Sequence, residues 1–394
     1  MGKNLFASRT NWDLAPNRLS VALAEHRAAG KPVLDLTMSN PTVCGFTYDS
    51  PAILAALSNP LSLAYEPDPR GLLTAREAVC EYYAARGDRV SPDSVVLTAS
   101  TSEAYSFVFR LLCNAGDEVL VPQPSYPLFD FLAELQDVRL VRYPLLYDHG
   151  WQIDFHSLEQ AIAPRARGVI VVHPNNPTGN FCKPQEMVRL NELCSARGMA
   201  IIADEVFLDY ALRKDRPSSF AANVGPLTFT LSGISKICGL PQMKAAWLVT
   251  SGPDAAKLEA QARLEVIADT FLSMSAPAQH ALRVLLQGRR SFQDQLRGRI
   301  QQNLDELDRQ LAAQTGAMRL VVEGGWCAVL RLRRALAAGS DAVFTIALLK
   351  SADVLVHPGH FYDFASDDHF VVSLIGPCDV FREGIARVLR FEQD

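Results

Sequence analysis

Three polar residues stand out for the chemistry they could share. Lys236 sits in the small-residue turn Ser232-Gly233-Ile234-Ser235-Lys236, just after the apolar run 227–231. Asn176 lies in His173-Pro174-Asn175-Asn176-Pro177-Thr178-Gly179, and Asp204 closes the apolar run 199–203. A lysine amine attacks an aldehyde only when neutral, and a desolvated or cationic neighbourhood lowers its pKa toward that state. A carboxylate beside a pyridine nitrogen keeps it protonated, so that the ring accepts electrons. An amine, an amide and a carboxylate, each at the end of its own predicted strand, are the parts needed to hold and use pyridoxal phosphate. Taken singly, each has a plainer reading: a solvated loop lysine, a turn shaped by Pro177 and Gly179, and a turn or capping aspartate.

A fourth segment, Ala99-Ser100-Thr101-Ser102-Glu103, joins a predicted strand to a predicted helix. Hydroxyls and backbone N–H groups at a helix N-terminus suit a phosphate, which assigns Ser100, Thr101 and Ser102 to that role. The same letters also spell an N-cap, with Ser100 capping and Glu103 three residues on. Both readings are compatible.

The elements that must position these residues alternate along the chain. Strand-like runs fall at 94–98, 118–121, 139–143, 168–172, 199–203, 227–231 and 245–250. Several are almost wholly apolar, as strands covered on both faces are. Helix-like stretches separate them, including 183–196 and a face made by Ala104, Phe107, Val108, Leu111 and Leu112. Such alternation predicts an α/β fold, a mostly parallel sheet with helices on both faces, and ligands on such sheets bind beyond the carboxyl ends of the strands. After residue 285 the texture changes to a long polar helix over 289–313, strand-like runs at 318–322, 326–332 and 370–375, and helices near 342–350 and 380–389. The expected organisation is a large cofactor-binding domain over 46–285 and a smaller α+β domain over 286–394. An N-terminal segment, 1–45, is expected to pack with the latter.

Composition narrows the class. The 394 residues are 48% hydrophobic and 21% charged, with a net charge of −5. No basic stripe points to nucleic acid or an anionic membrane. No apolar run is long enough to span a bilayer, and no apolar signal core opens the chain. The 8 cysteines are scattered without a Cys-x-x-Cys pair, as in a reducing compartment, and no metal-ligand spacing is present. The expectation is a soluble cytoplasmic protein with no nucleic-acid or membrane partner.

With these motifs in this order, the chain resembles the class I/II aminotransferase family of fold-type I pyridoxal-phosphate enzymes, from about residue 33 to the C-terminus. The resemblance implies pyridoxal 5′-phosphate as cofactor, a Schiff base at Lys236, Asp204 on the pyridine nitrogen and Asn176 on the phenolic oxygen. It implies that Tyr126, in Pro124-Ser125-Tyr126-Pro127, stacks on the ring. It implies that Tyr65, in Tyr65-Glu66-Pro67-Asp68-Pro69-Arg70-Gly71, reaches the phosphate of a neighbouring subunit, which requires a homodimer with shared active sites.

Four departures from the family pattern matter. Phe207 stands where the family usually has tyrosine, so one donor to the phenolic oxygen is missing. Lys244 stands where the family commonly has the phosphate-binding arginine; it offers a point charge without the bidentate fork. Gly233 replaces a hydroxyl residue, which leaves Ser235 as the phosphate contact there. The run 369–375 aligns with the strand that carries the arginine for the substrate carboxylate, with Val372 at that position. Arg331, Arg333 and His360 are candidate substitutes, and the segment 359–364 is expected near the substrate.

The expected function is transfer of an amino group between an amino donor and a keto acid. The alternative on the same scaffold is a pyridoxal-phosphate lyase or decarboxylase. A ligand sensor fused to a DNA-binding module is disfavoured, because no basic recognition helix precedes the cofactor pattern.

Overall fold

The structure is a computed structural model that describes residues 5–212, 217–272, 274–332 and 340–393. Near-continuous apolar runs build a central sheet of 8 strands. In chain order these are β1 (Val95–Thr98), β2 (Glu118–Gln123), β3 (Arg139–Tyr147), β4 (Trp151–Ile153), β5 (Ala166–Val172), β6 (Ala200–Asp204), β7 (Thr228–Gly233) and β8 (Ala246–Ser251). Across the sheet the order is β1-β8-β7-β6-β5-β2-β3-β4. Strands β3, β2, β5, β6 and β7 run parallel, while β8 and the short β4 are reversed.

Both faces of this sheet are covered, which is why its strands read as apolar runs rather than alternating ones. On one face Val119, Val121, Ile202 and Leu231 pack under Ala104, Phe107 and Val108 of α2 (Thr101–Leu112) and Leu264 of α4 (Asp254–Phe271). On the other, Val171, Ile201 and Ala203 meet Leu190 and Cys194 of α3 (Pro184–Arg197). Val95, Leu97 and Trp247 meet Val79 and Tyr83 of α1 (Leu73–Ala84) on that side.

A single helix, α5 (Ala276–Leu311), runs for 36 residues through the expected boundary at 285. Its first half carries Ala281, Leu282, Leu285 and Leu286 into the large-sheet core. Its second half carries Leu296, Ile300, Leu304 and Leu307 into a different core, with Leu330, Phe370, Phe381 and Ile385. One apolar face serves two cores, so the helix expected to start at 289 begins at Ala276 instead.

The second core is roofed by a sheet of 4 antiparallel strands. These are β9 (Ala317–Arg319), β10 (Cys327–Leu332), β11 (His357–Pro358) and β12 (His369–Ser373), in the order β9-β10-β12-β11. The strand expected over 318–322 is shorter, because after the bond from Leu320 N to Val329 O the chain leaves the sheet and Val321 N donates to the Tyr147 hydroxyl. Helices α6 (Ser340–Ala352) and α7 (Cys378–Gln393) complete this part.

The N-terminal segment joins the same side of the molecule. Leu34–Asp35 pairs in parallel with Val354–Leu355, and Leu19 and Ala22 pack on Leu349 of α6. Ser373 N donates to Leu36 O, and Ser373 Oγ donates to Met38 O at 2.5 Å. Residues 37–39 are thereby carried to the end of β12.

The shared role of α5 predicts a stability outcome. Ile300 is fully buried, and Ile300→Ala should lower the free energy of unfolding by about 2–5 kcal/mol in urea denaturation. A loss under ~1 kcal/mol would mean that this half of α5 carries no tightly packed core.

Candidate active site

The parallel strands bring the singled-out residues to one edge. Val172 of β5 is in register with Asp204, and Asp204 with Leu231 of β7. The segments that follow β1, β2, β5, β6 and β7 therefore converge beyond the carboxyl ends, the expected place for a ligand. A cavity of about 300 Å³ opens there between the large sheet and the small one. Its wall includes Lys236, Asp204, Asn176, Thr101, Ser235 and Tyr126.

Lys236 sits on a single helical turn, Ile234–Ile237, that is fixed from several sides. At Gly233 an added Cβ would lie 2.8 Å from the Ala246 Cβ, so glycine lets β7 approach β8 closely as it ends. Ile234 N donates to Ala245 O, and the buried Ile234 and Ile237 anchor the turn. Gly239 closes it at φ +65, in the left-handed region, where a Cβ would also meet the Phe292 ring. The Tyr210 hydroxyl donates to the Lys236 carbonyl at 2.6 Å. The amine then projects against a contacting pair of rings, 5.0 Å from the centre of Trp326 and 5.7 Å from that of Phe207. Burial pushes the Lys236 pKa down from its ordinary value, which favours the neutral, nucleophilic amine.

Asp204 is held by its own turn and by a helix. Its Oδ1 accepts from Val206 N at 3.1 Å and its Oδ2 from the Tyr105 hydroxyl at 3.0 Å. Tyr105 is on α2, one turn after Thr101, and is itself buried. Burial lifts the Asp204 carboxyl from 3.8 to about 6, although both hydrogen bonds pull the other way. A cationic ring nitrogen placed against it would reverse that shift.

Asn176 follows a braced loop in which the Asn175 amide donates to Pro124 O and to the Thr178 hydroxyl. His173 faces away from the cavity. Its ring lies edge-on to Phe181 and Phe220, Nδ1 accepts from Cys182 N, and burial lowers its pKa to about 4. Tyr126 is 39% exposed, with its ring edge-on to Phe129.

Other expected site residues lie elsewhere. Ser100 is the N-cap of α2, its Oγ accepting from Glu103 N at 3.1 Å, and neither it nor Ser102 lines the cavity. Lys244 has a left-handed backbone, φ 51, and an exposed side chain outside the lining. Tyr65 is 76% exposed and also outside it.

Val372 does not face the site. It is fully buried beside Phe370 in the core under α5, and the alternation along β12 turns Val371 and Ser373 to the cavity instead. The candidate substitutes are also committed elsewhere. Arg331 Nε donates to Asp368 at 2.6 Å, and His360 Nδ1 lies 2.9 Å from Asp341. Arg333 lies outside the described residues.

Residues not singled out from the sequence complete the wall: Thr37, Ser39, Trp326, Cys327, His357 and Tyr362. Of these only Tyr362 falls in a segment expected near the substrate. The donor set suits pyridoxal phosphate. A desolvated amine and a buried carboxylate share the cavity with an amide and a phenol, while Thr101 and Ser235 offer hydroxyls.

The family model for aminotransferase class I and II matches residues 32–373. The glutamate-pyruvate aminotransferase of Escherichia coli is 32% identical over 269 residues, 67% of this chain and 66% of that protein, a little under two thirds of its length. The alanine aminotransferase of Mycobacterium bovis is 30% identical over 359 residues, 88% of this chain and 82% of that protein. Among solved structures, an alanine aminotransferase from Pyrococcus furiosus superposes with a TM-score of 0.90 at 22% identity, covering 98% of this chain and 99% of that one. An aminotransferase from Escherichia coli superposes with a TM-score of 0.86 at 25% identity, covering 98% of both.

The raised Asp204 pKa has a measurable consequence. Between 3.8 and about 6 the native protein keeps a proton that the unfolded chain has lost. The group's contribution to stability is therefore complete at low pH and fades as pH rises through about 6. In cofactor-free protein, Asp204→Asn should gain on the wild type between about pH 4 and about pH 7, by roughly 2–3 kcal/mol. Urea denaturation at the two pH values reads the gap; a gap of equal size at both would contradict the burial of this carboxylate.

Proposed function

The chain belongs to the class I and II aminotransferase family, and we propose that it is a pyridoxal-phosphate-dependent aminotransferase moving an amino group between an amino donor and a keto acid. The observation that carries this reading is the shared cavity of Lys236 and Asp204, a desolvated amine and a buried carboxylate. When bound, pyridoxal phosphate supplies an aldehyde that takes up amines and a ring that accepts the electron pair left on a substrate carbon.

This chain's own residues supply the rest. Lys236 provides the anchoring amine and, when Nζ is free, the base that carries a proton from the substrate carbon. The rings of Phe207 and Trp326 keep water from that amine. Asp204 holds a proton on the ring nitrogen, and Tyr105 fixes the carboxylate's orientation through Oδ2. Asn176 donates to the phenolic oxygen, and Tyr126 covers the ring face. Thr101, Ser235 and the N-terminus of α2 receive the phosphate, with Ser100 acting as the cap that holds that terminus in place. Ser102 remains close in sequence for a further hydroxyl contact, and Lys244 adds charge from the exposed side.

The same reading includes a cytoplasmic homodimer in which the exposed Tyr65 reaches the partner's phosphate site. It also includes a large domain and a small one, with residues 1–45 on the small side and the changeover inside α5. The relatives' names favour amino transfer over elimination or decarboxylation, since each is called an aminotransferase.

Lys236→Ala should reduce amino transfer by roughly 10²–10⁴-fold while the protein still folds. Donor-dependent change in the absorbance of the cofactor-loaded enzyme reads this directly. Variant activity close to that of the wild type would remove the basis of the proposal.

A further inference from the structure

The cavity has two unlike ends. One is the edge of the large sheet, where Lys236, Asp204, Asn176, Thr101 and Ser235 meet the cofactor in the reading above. The other is the small sheet, and its cavity face can be read from strand register. His357 pairs with Val371 and Cys327 with Ser373, so these four side chains share one face, and all four line the cavity.

That face carries no formal charge. Val371 is a hydrocarbon. The Ser373 hydroxyl donates to Met38 O. His357 has Nδ1 3.0 Å from the Tyr362 hydroxyl, and burial lowers its pKa below the ordinary value. Burial raises the Cys327 thiol to about 12, so it stays protonated. Trp326 and Phe207 extend the apolar surface toward the Lys236 amine.

The cations around this end are turned elsewhere. Arg299 donates to the carbonyls of Cys44, Ile375 and Gly376. Arg142 pairs with Asp130 and Asp363. Among the described residues lining the cavity, the lysine is Lys236 itself and there is no arginine.

A carboxylate pressed against such a wall would lose its hydration without gaining a cationic partner, a cost of several kcal/mol by the general behaviour of buried ions. A hydroxymethyl or alkyl group would lose little, and a hydroxyl could bond to His357 or Tyr362. We propose that the small-sheet wall of Val371, Ser373, Cys327 and His357 selects a primary amine whose reacting carbon carries a neutral substituent, an amino alcohol or alkyl amine, over the matching α-amino acid. This rests on the aminotransferase reading and narrows the half-reaction that is specific to this enzyme. No new bond chemistry is needed: the amine gives up its nitrogen and leaves as the corresponding aldehyde or ketone.

The test is a matched pair of donors, L-alanine and the 2-aminopropan-1-ol of the same configuration, with single-turnover absorbance on the cofactor-loaded wild type. The amino alcohol should react with about a tenfold or greater advantage in rate over binding constant. Val371→Arg should reverse the preference by raising the reaction with alanine, and Val371→Lys gives the same test if the arginine variant fails to melt as a folded protein. Alanine outrunning the amino alcohol in the wild type would overturn the inference, because it would require a carboxylate partner from outside the described wall. So would an unchanged ratio in both folded variants. If no donor in a wider panel, with or without a carboxylate, transfers nitrogen, the aminotransferase reading itself fails and this inference falls with it.

Discussion

Desolvation of one amine is the constraint on which the rest of the site depends. A lysine in water is charged and cannot attack a carbonyl, and a lysine in a protein interior is costly unless its charge is removed or shared. Here the Nζ of Lys236 lies against the paired rings of Phe207 and Trp326, and its pKa is lowered by burial. Holding it there takes a rigid turn. The close approach of Gly233 to Ala246, the left-handed Gly239 and the Tyr210 hydroxyl on the Lys236 carbonyl all act on the backbone within a few residues of the amine. Trp326 comes from the hairpin side of the small sheet, so the environment of the lysine is completed only when both sheets are assembled.

The second constraint is topological. Parallel strands start at one edge of the sheet and end at the other, so residues distant in sequence meet wherever the strands end. Asp204 uses this directly, since it is the last residue of β6, flanked in register by Val172 and Leu231. Its partner Tyr105 arrives on α2, the helix whose N-terminus also lies at that edge. The pairing of a raised carboxyl with a lowered amine in one cavity is the arrangement that perturbed groups take at functional sites more often than by chance. The long helix α5 then fixes the two cores to each other through a single continuous apolar face.

Much of this was legible in the sequence, because apolar runs and turn residues report local structure well. The strands at 168–172 and 199–203 and their neighbours are found within a residue or a few of their observed bounds, and Lys236, Asp204, Asn176, Thr101, Ser235 and Tyr126 do share a cavity. What failed had physical causes. A slip of one residue along β12 exchanges the buried face for the open one, so Val371 and Ser373 rather than Val372 face the site. Arg331 and His360 could contact a carboxylate by residue type, but their partners Asp368 and Asp341 are visible only in three dimensions. Thr37 and Ser39 are brought in by a two-residue parallel pairing too short to leave a pattern. Tyr105 and Trp326 look like ordinary core aromatics until their neighbours are known.

The most direct test of the account is to find which atom of the protein bonds the cofactor. The enzyme is loaded with pyridoxal phosphate, reduced with borohydride, digested and mapped by mass spectrometry. The account predicts that the reduced phosphopyridoxyl mass is carried by the peptide containing Lys236, with fragmentation placing it on that side chain. The same mass on a different lysine, or on none, would contradict it.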